Sequence, residues 1–198
     1  MQACFAARNL EAAAAKLRNL GFELCLDGDR VVACNEEDRL EVGRGDRDAL
    51  VEIRTAMAPC ASAGRHPNGV YKLERAYVVV RDLDEAVAGY AARLAMPAPT
   101  RERGTVINAD LAVFSLGAAA LTLASPVGPG VAEEALARLG PGPFQLLYRT
   151  RSMDAATRWL GQHGVPPPRR GVRNTGEEAM LVPPEHACGA YIGFVGPA

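Results

Sequence analysis

Residues 75–96 read RAYVVVRDLDEAVAGYAARLAM. The run from 76 to 80 is short, apolar and rich in β-branched residues, which is typical of a buried strand. Asp82 follows it and can cap a helix N-terminus, while Asp84 and Glu85 add negative charge where the helix dipole favours it. Apolar residues then recur at helical spacing, at Leu83, Val87, Ala91 and Leu94. The stretch therefore predicts a strand followed directly by an amphipathic helix.

The same pattern occurs twice more. Residues 2–22 read QACFAARNLEAAAAKLRNLGF and residues 145–165 read QLLYRTRSMDAATRWLGQHGV. The cap residues are then Asn9, Asp82 and Ser152, so the pattern recurs about every 70 residues, which indicates repeated structural units. Strand-like runs follow each helix, at 22–26, 31–34, 40–42 and 49–55, at 105–108, 111–116 and 119–124, and at 176–181 and 190–195. Three βαβββ units are expected, which makes the chain an α+β protein.

Four short motifs occur in order between residues 71 and 197. They are VVVRDLDEA at 78–86 with Tyr90 after it, a strand-like run at 119–126 that ends in proline, GPGPFQ at 140–145, and a closing run at 189–197. In this order they resemble the vicinal oxygen chelate superfamily, which includes glyoxalases, methylmalonyl-CoA epimerases, extradiol dioxygenases and bleomycin-resistance proteins. The resemblance is looser over residues 2–55. It implies a glyoxalase-like fold, in which βαβββ half-units form a curved mixed sheet, a cup, with helices outside.

The stretch 58–69, APCASAGRHPNG, is the most linker-like in the chain. It predicts an extra N-terminal βαβββ-like unit over 1–57, a linker over 58–70 and a two-unit glyoxalase-like domain over 71–198, with halves at 71–126 and 143–198. An odd unit leaves a sheet edge unpaired, and such an edge needs covering. Pairing with the same unit of a second chain would cover it, so a homodimer is expected.

The resemblance also implies a divalent metal held by four side chains, one on the first and one on the last strand of each half. The corresponding positions in this sequence are Arg75, Thr122, Gln145 and Gly193, with Gln2 at the first-strand position of the extra unit. None of them is His, Asp or Glu. Arginine is a fixed cation and glycine has no side chain, so neither can be a ligand. We therefore expect no metal and no cofactor.

Side chains alternate between the two faces of a strand, so the positions above also identify the cup lining. The predicted lining is Arg75, Tyr77, Thr122, Gln145, Arg149 and Tyr191. Alternation places Glu74 off this face. The lining is rich in hydrogen-bond donors, and guanidinium groups bind carboxylates and phosphates. It predicts a pocket for a small anionic organic molecule, whereas the alternative is that the arginines pair with acidic residues at strand ends.

Three functions remain open at this stage. The first is a metal-independent binding protein, as in the resistance branch of the superfamily. The second is a lyase, isomerase or dioxygenase-type enzyme with atypical metal ligands or metal-free acid–base catalysis by His186, Tyr77 or Tyr191. The third is an accessory protein whose cup is vestigial.

Composition excludes several other classes. The 198 residues carry a formal net charge of −1, which argues against a nucleic-acid or anionic-membrane partner. Residues 111–132 carry no charge, but glycines and prolines interrupt them, so they predict two strands and a loop rather than a membrane span. The N-terminus lacks signal-peptide features. The five cysteines form no metal-binding spacing and predict reduced thiols of a cytoplasmic protein.

Overall fold

The computed structural model describes residues 1–55, 64–95 and 97–197. Four α-helices and one short 3₁₀ helix, Pro184–His186, occur in them. The α-helices are α1 (Leu10–Asn19), α2 (Leu83–Leu94), α3 (Val131–Leu139) and α4 (Met153–Gln162). The strands are β1 (Gln2–Ala7), β2 (Cys25–Asp27), β3 (Arg30–Cys34), β4 (Arg39–Arg44), β5 (Ala49–Arg54), β6 (Val70–Val79), β7 (Thr100–Gly104), β8 (Ala109–Leu116), β9 (Ala119–Pro126), β10 (Gly142–Thr150), β11 (Arg169–Val172), β12 (Glu178–Val182) and β13 (Tyr191–Val195).

The strands form two mixed sheets that contain the same unit three times. The first sheet has the order β2-β3-β4-β1-β5 and the second has the order β11-β12-β13-β10-β6-β9-β8-β7. In each unit the first strand lies parallel to the last, as β1 to β4, β6 to β9 and β10 to β13. β6 and β10 pair antiparallel and join the second and third units into one curled sheet. The α+β class and the glyoxalase-like fold are therefore confirmed.

The predicted helix starts are confirmed in all three units. The side chain of Asn9 accepts the backbone N–H of Ala12 at 3.0 Å, and that of Ser152 accepts the N–H of Ala155 at 3.2 Å. Asp82 accepts the N–H groups of both Asp84 and Glu85 at 2.9 Å. Each cap satisfies N–H groups that the first turn of a helix leaves free, which fixes where the chain turns from strand to helix.

The outer strands of the large sheet differ from the prediction. Residues 105–108, expected to be a strand, form a turn, and the strand is β7 at Thr100–Gly104. β11, at Arg169–Val172, lies in a segment for which no strand was predicted. Both strands end the sheet, and both are largely charged. Edge strands lack the buried apolar face that marks a strand in a sequence, so the pattern missed them.

The first unit packs on the outer face of the third unit and shares one hydrophobic core with it. Phe5, Leu17 and Leu40 of the first unit belong to the same buried cluster as Tyr148 and Phe194. The proposed linker at 58–70 falls partly outside the described residues, and β6 begins at Val70. The division of the chain into 1–57 and 71–198 stays a prediction.

A close backbone contact fixes this packing. Gly189 precedes β13 and has a φ of +88°, and a Cβ atom added to it would lie 1.9 Å from the carbonyl oxygen of Asp48. Asp48 precedes β5, and its carboxylate accepts the backbone N–H of Arg8 at 3.0 Å. The chain before β13 therefore touches the first unit directly, and only glycine leaves room for the contact.

The predicted open edge of the first unit is covered from within the chain. β5 pairs antiparallel with β1, with Gln2 opposite Arg54 and Cys4 opposite Glu52. The edge of β1 is therefore paired within the chain, and β5 is the strand that ends this sheet. The homodimer stays a prediction.

The cysteines only partly follow the expectation of reduced thiols. Cys4, Cys25 and Cys188 carry free thiols, whereas Cys34 is disulfide-bonded. Burial raises the pKa of the Cys4 thiol to about 11, so Cys4 stays protonated and unreactive at neutral pH. None of the helices described is long and apolar enough to cross a bilayer.

Candidate functional site

Four predicted lining residues lie side by side across the centre of the large sheet. Tyr77 of β6 is opposite Thr122 of β9 on one side and Gln145 of β10 on the other, and Gln145 is opposite Tyr191 of β13. Arg75 lies on β6 two residues before Tyr77, opposite Leu147. Alternation along the strands thus brings these five side chains to one face, as expected.

One helix lies inside the cup instead of outside it. Val131, Ala132 and Ala135 of α3 pack in one buried cluster with Val79 and Tyr191. The hydroxyl of Tyr191 donates a hydrogen bond at 2.8 Å to Glu134 of α3. Burial, together with this hydrogen bond and the charge of Glu134, raises the pKa of Tyr191 to about 12. Tyr191 is therefore a neutral side chain held by α3.

The remainder of the cup forms a partly open cleft with a free volume of about 40 Å³. Its apolar wall comes from the cup face and from the turn after β7, and is made of Val106, Ile107, Leu111, Leu147 and Leu181. Its polar end carries Arg75, Glu102, Gln145 and Arg173 beside the ring of Tyr77. The cleft is thus apolar along its length and charged at its mouth.

Six charged side chains make up this mouth, three arginines and three glutamates. Arg75 pairs with Glu102 of β7, and Glu74 lies 2.6 Å from Arg149 and 2.8 Å from Arg173. Glu177 lies 2.9 Å from Arg149 and 3.1 Å from Arg173. We call these residues the mouth network: Glu74, Arg75, Glu102, Arg149, Arg173 and Glu177. The formal charges of the network cancel. The arginines therefore pair with acidic residues, as the alternative interpretation of the sequence predicted.

The position of Glu74 differs from the alternation-based expectation because β6 carries a bulge. Leu147 is opposite Arg75 and the next residue, Tyr148, is opposite Leu73, so Glu74 is the extra residue. A bulge changes the direction of a side chain relative to regular alternation. The carboxylate of Glu74 consequently reaches the arginines of the mouth.

Two more predicted candidates lie away from the cleft wall. Arg149 is at the rim, where it pairs with Glu74 and Glu177, and its side chain is 27% exposed. His186 ends the 3₁₀ helix before β13 and does not line the cleft. Three residues of the mouth network were not predicted from the sequence. Glu102 lies in a strand that was misplaced, and Arg173 and Glu177 lie in the turn between β11 and β12.

The four positions that correspond to family metal ligands do not fit a divalent metal. The guanidinium of Arg75 already pairs with Glu102. A Cβ atom on Gly193 would lie 2.9 Å from Cδ1 of Leu147 and 3.2 Å from Cδ1 of Leu181, so leucine carbons fill the space a ligand side chain would need. No cluster of three or more His, Cys, Asp or Glu side chains suited to a metal occurs in the described part of the chain.

Two buried polar atoms of the central row lack a hydrogen-bond partner among the described residues. They are Oγ1 of Thr122 and Oε1 of Gln145. A buried acceptor left without a partner costs of the order of 1–3 kcal/mol, so each of these atoms is available to accept a hydrogen bond. Gln145 lines the cleft, so its amide is open to a ligand. Next to it, burial raises the pKa of Tyr77, which keeps that phenol neutral.

The charge pairs of the mouth predict acid sensitivity. A hydrogen bond from Arg149 lowers the pKa of Glu177. An acid with a lowered folded-state pKa stabilises the fold above its unfolded pKa of about 4.3, and this contribution is lost as pH falls through the folded value. Urea unfolding at pH 7 and at about pH 3 should show a smaller loss of stability for Glu177→Gln than for the wild type. Equal losses would contradict the role assigned to Glu177.

Comparisons with known proteins agree with this architecture. Residues 76–181 match the family model described as glyoxalase/bleomycin resistance protein/dioxygenase superfamily. Methylmalonyl-CoA epimerase from Mycobacterium tuberculosis is 29% identical with a TM-score of 0.57, and the match covers 66% of this chain and 90% of that one. A Streptomyces coelicolor methylmalonyl-CoA epimerase variant bound to 2-nitronate-propionyl-CoA is 22% identical with a TM-score of 0.57, over 65% and 96% of the two chains. Comparison with curated proteins gave no match.

Proposed function

Since the chain belongs to the glyoxalase/bleomycin resistance protein/dioxygenase superfamily, we propose that its cleft binds a small organic anion without a metal. The observation that carries the proposal is the combination of an apolar wall, the guanidinium of Arg75 and the unpartnered amide oxygen of Gln145 in one cleft. Ligand sites are typically apolar pockets with a few convergent polar groups, and this cleft has that composition.

Different residues of the cleft would recognise different parts of the ligand. Arg75 presents a planar fork that suits a carboxylate. Gln145 accepts a hydrogen bond from a donor on the ligand, which would satisfy its buried oxygen. Leu111, Leu147 and Leu181 surround the apolar body of the ligand. Because the family metal positions hold Arg75 and Gly193, this recognition would need no Lewis acid.

An enzymatic function is a second candidate. It is supported by the 29% identity to the Mycobacterium tuberculosis methylmalonyl-CoA epimerase over 90% of that chain. In such a reaction the carboxylate of Glu102 would be the proton acceptor in the cleft, with the neutral phenol of Tyr77 as donor. Incubation with methylmalonyl-CoA in D₂O, followed by NMR, tests it through loss of the α-proton signal.

Titration with benzoate and with uncharged benzamide tests the binding proposal. We expect benzoate to bind with a Kd of about 1 mM, as suits a small fragment, and benzamide to bind at least about tenfold more weakly. EDTA should leave benzoate binding unchanged. Arg75→Ala and Arg75→Lys should both weaken it, because neither keeps the guanidinium fork.

Arg103→Ala is the matched control. Arg103 directly follows Glu102 on β7. Its side chain is 45% exposed and pairs with Asp110, outside the mouth network. The Arg103→Ala variant should bind benzoate with the same affinity as the wild type. Absence of benzoate binding would favour the vestigial cup, and loss of binding with EDTA would contradict metal independence.

Homodimerisation and a cytoplasmic location stay predictions. Sedimentation velocity across a concentration series tests the first, and a single monomeric species throughout would contradict it.

A further inference from the structure

Glu102 differs from the other two carboxylates of the mouth network in how it is held. Glu74 lies within 4 Å of all three arginines, and Glu177 pairs with two of them and accepts the hydroxyl of Thr175 at 3.1 Å. Within the described residues, the ion pair of Glu102 is with Arg75 alone. Moving Glu102 away would break one pair and leave the rest of the network connected.

The side chain of Glu102 can also turn towards solvent. It lies on β7, the last strand of the large sheet, and its side chain is 23% exposed, compared with 14% for Arg75 and 9% for Arg173. A side chain at a sheet edge can turn its carboxylate to water, where the charge is solvated. To do so, Glu74 would have to release three arginines and Glu177 would have to release two.

The balance of charge at the mouth makes such a movement necessary for anion binding. Three arginines and three glutamates cancel, so an entering anion meets no net attraction there. Arg75 and Arg173 both line the cleft with Gln145, and Glu102 occupies Nη1 of the Arg75 guanidinium. An anion that binds both nitrogens of the guanidinium fork has to replace that carboxylate at Nη1.

We propose that Glu102 is the internal counter-ion of Arg75, which the ligand displaces on binding, and that the ligand is therefore a monocarboxylate with an apolar body. The inference rests on the proposed function. A ligand carboxylate has the shape and charge of the group that it replaces, so the mouth stays balanced. A phosphate ester carries nearly two negative charges at neutral pH and would leave an excess beside Glu74, which lies 3.6 Å from Arg75.

The experiment compares benzoate and phenyl phosphate on the wild type, Glu102→Gln and the control Asp110→Asn. Glutamine keeps the shape of Glu102 and removes the charge that competes for Arg75, so benzoate affinity should rise about tenfold. Asp110→Asn removes one negative charge on the adjacent strand, where Asp110 pairs with the exposed Arg103. It should change benzoate affinity less than about twofold, because exposed charges are screened by solvent and salt.

The outcomes separate this inference from the proposed function. Suppose the wild type binds benzoate and folded Glu102→Gln binds it equally or more weakly. That result would overturn the displacement of Glu102, but it would still support the binding site. An equal gain in Asp110→Asn would do the same, since it would reduce the effect to net charge. Phenyl phosphate binding more tightly than benzoate to the wild type would overturn the monocarboxylate class. If no probe binds any variant, the proposed function itself fails.

Discussion

Gly189→Ala is expected to lower the free energy of unfolding by about 2–5 kcal/mol. The added methyl group would lie 1.9 Å from the carbonyl oxygen of Asp48 and 2.4 Å from its carbonyl carbon. Both are backbone atoms, so the first unit would have to move away from the third. Overpacking costs about 1–3 kcal/mol, and a non-glycine residue at a φ of +88° adds about 1–2 kcal/mol of strain. Urea unfolding of the purified variant measures the loss.

Gly176→Ala separates the two contributions. Gly176 has a φ of +82°, and a Cβ atom there would have no neighbour within 4 Å. This variant should lose only the strain, about 1–2 kcal/mol. Equal losses in the two variants would show that the contact between Gly189 and Asp48 adds nothing to the packing of the first unit.

Glu74→Gln is expected to lower the free energy of unfolding by about 2–4 kcal/mol. The side chain of Glu74 is 15% exposed and lies within 4 Å of Arg75, Arg149 and Arg173. Without its charge, three guanidinium groups would face one another with two carboxylates left to balance them. Removing one member of a largely buried ion-pair network leaves an uncompensated charge, which is the costly step.

Glu52→Gln is the matched control for this loss. Glu52 pairs with Arg54 at 2.7 Å, but both side chains are about half exposed. An exposed pair contributes little, so Glu52→Gln should leave the urea midpoint unchanged within experimental error. Similar losses for Glu74→Gln and Glu52→Gln would contradict the central place of Glu74 in the network.

Local chemistry that repeats along the chain made most of the fold predictable. Asn9, Asp82 and Ser152 cap helices in the structure as their residue types and spacing predict. The apolar runs before them are buried central strands, whose hydrophobic character is strong. The interior strands and the helices could therefore be predicted from the sequence, because buried elements have a periodic pattern of apolar residues.

The charged half of the site could not be predicted in the same way. Alternation placed Arg75, Tyr77 and Gln145 on one face, and the strand registers agree. Glu102 was missed because β7 is an edge strand without an apolar pattern. Glu74 was missed because a bulge depends on how two strands pair, and neither strand shows it alone. Contacts across distant segments, such as α3 in the cup, have no local signal at all.

The strand β5 limits how far the repeat can extend. In the second and third units the first strand offers its free edge to the other unit, which is how two units become one continuous sheet. In the first unit β5 takes that edge, and its own outer part carries the charged pair of Glu52 and Arg54. A strand that ends in paired charges is a poor template for further strands. β5 thus acts as a terminator, which opposes polymerisation of these units through the β1 edge.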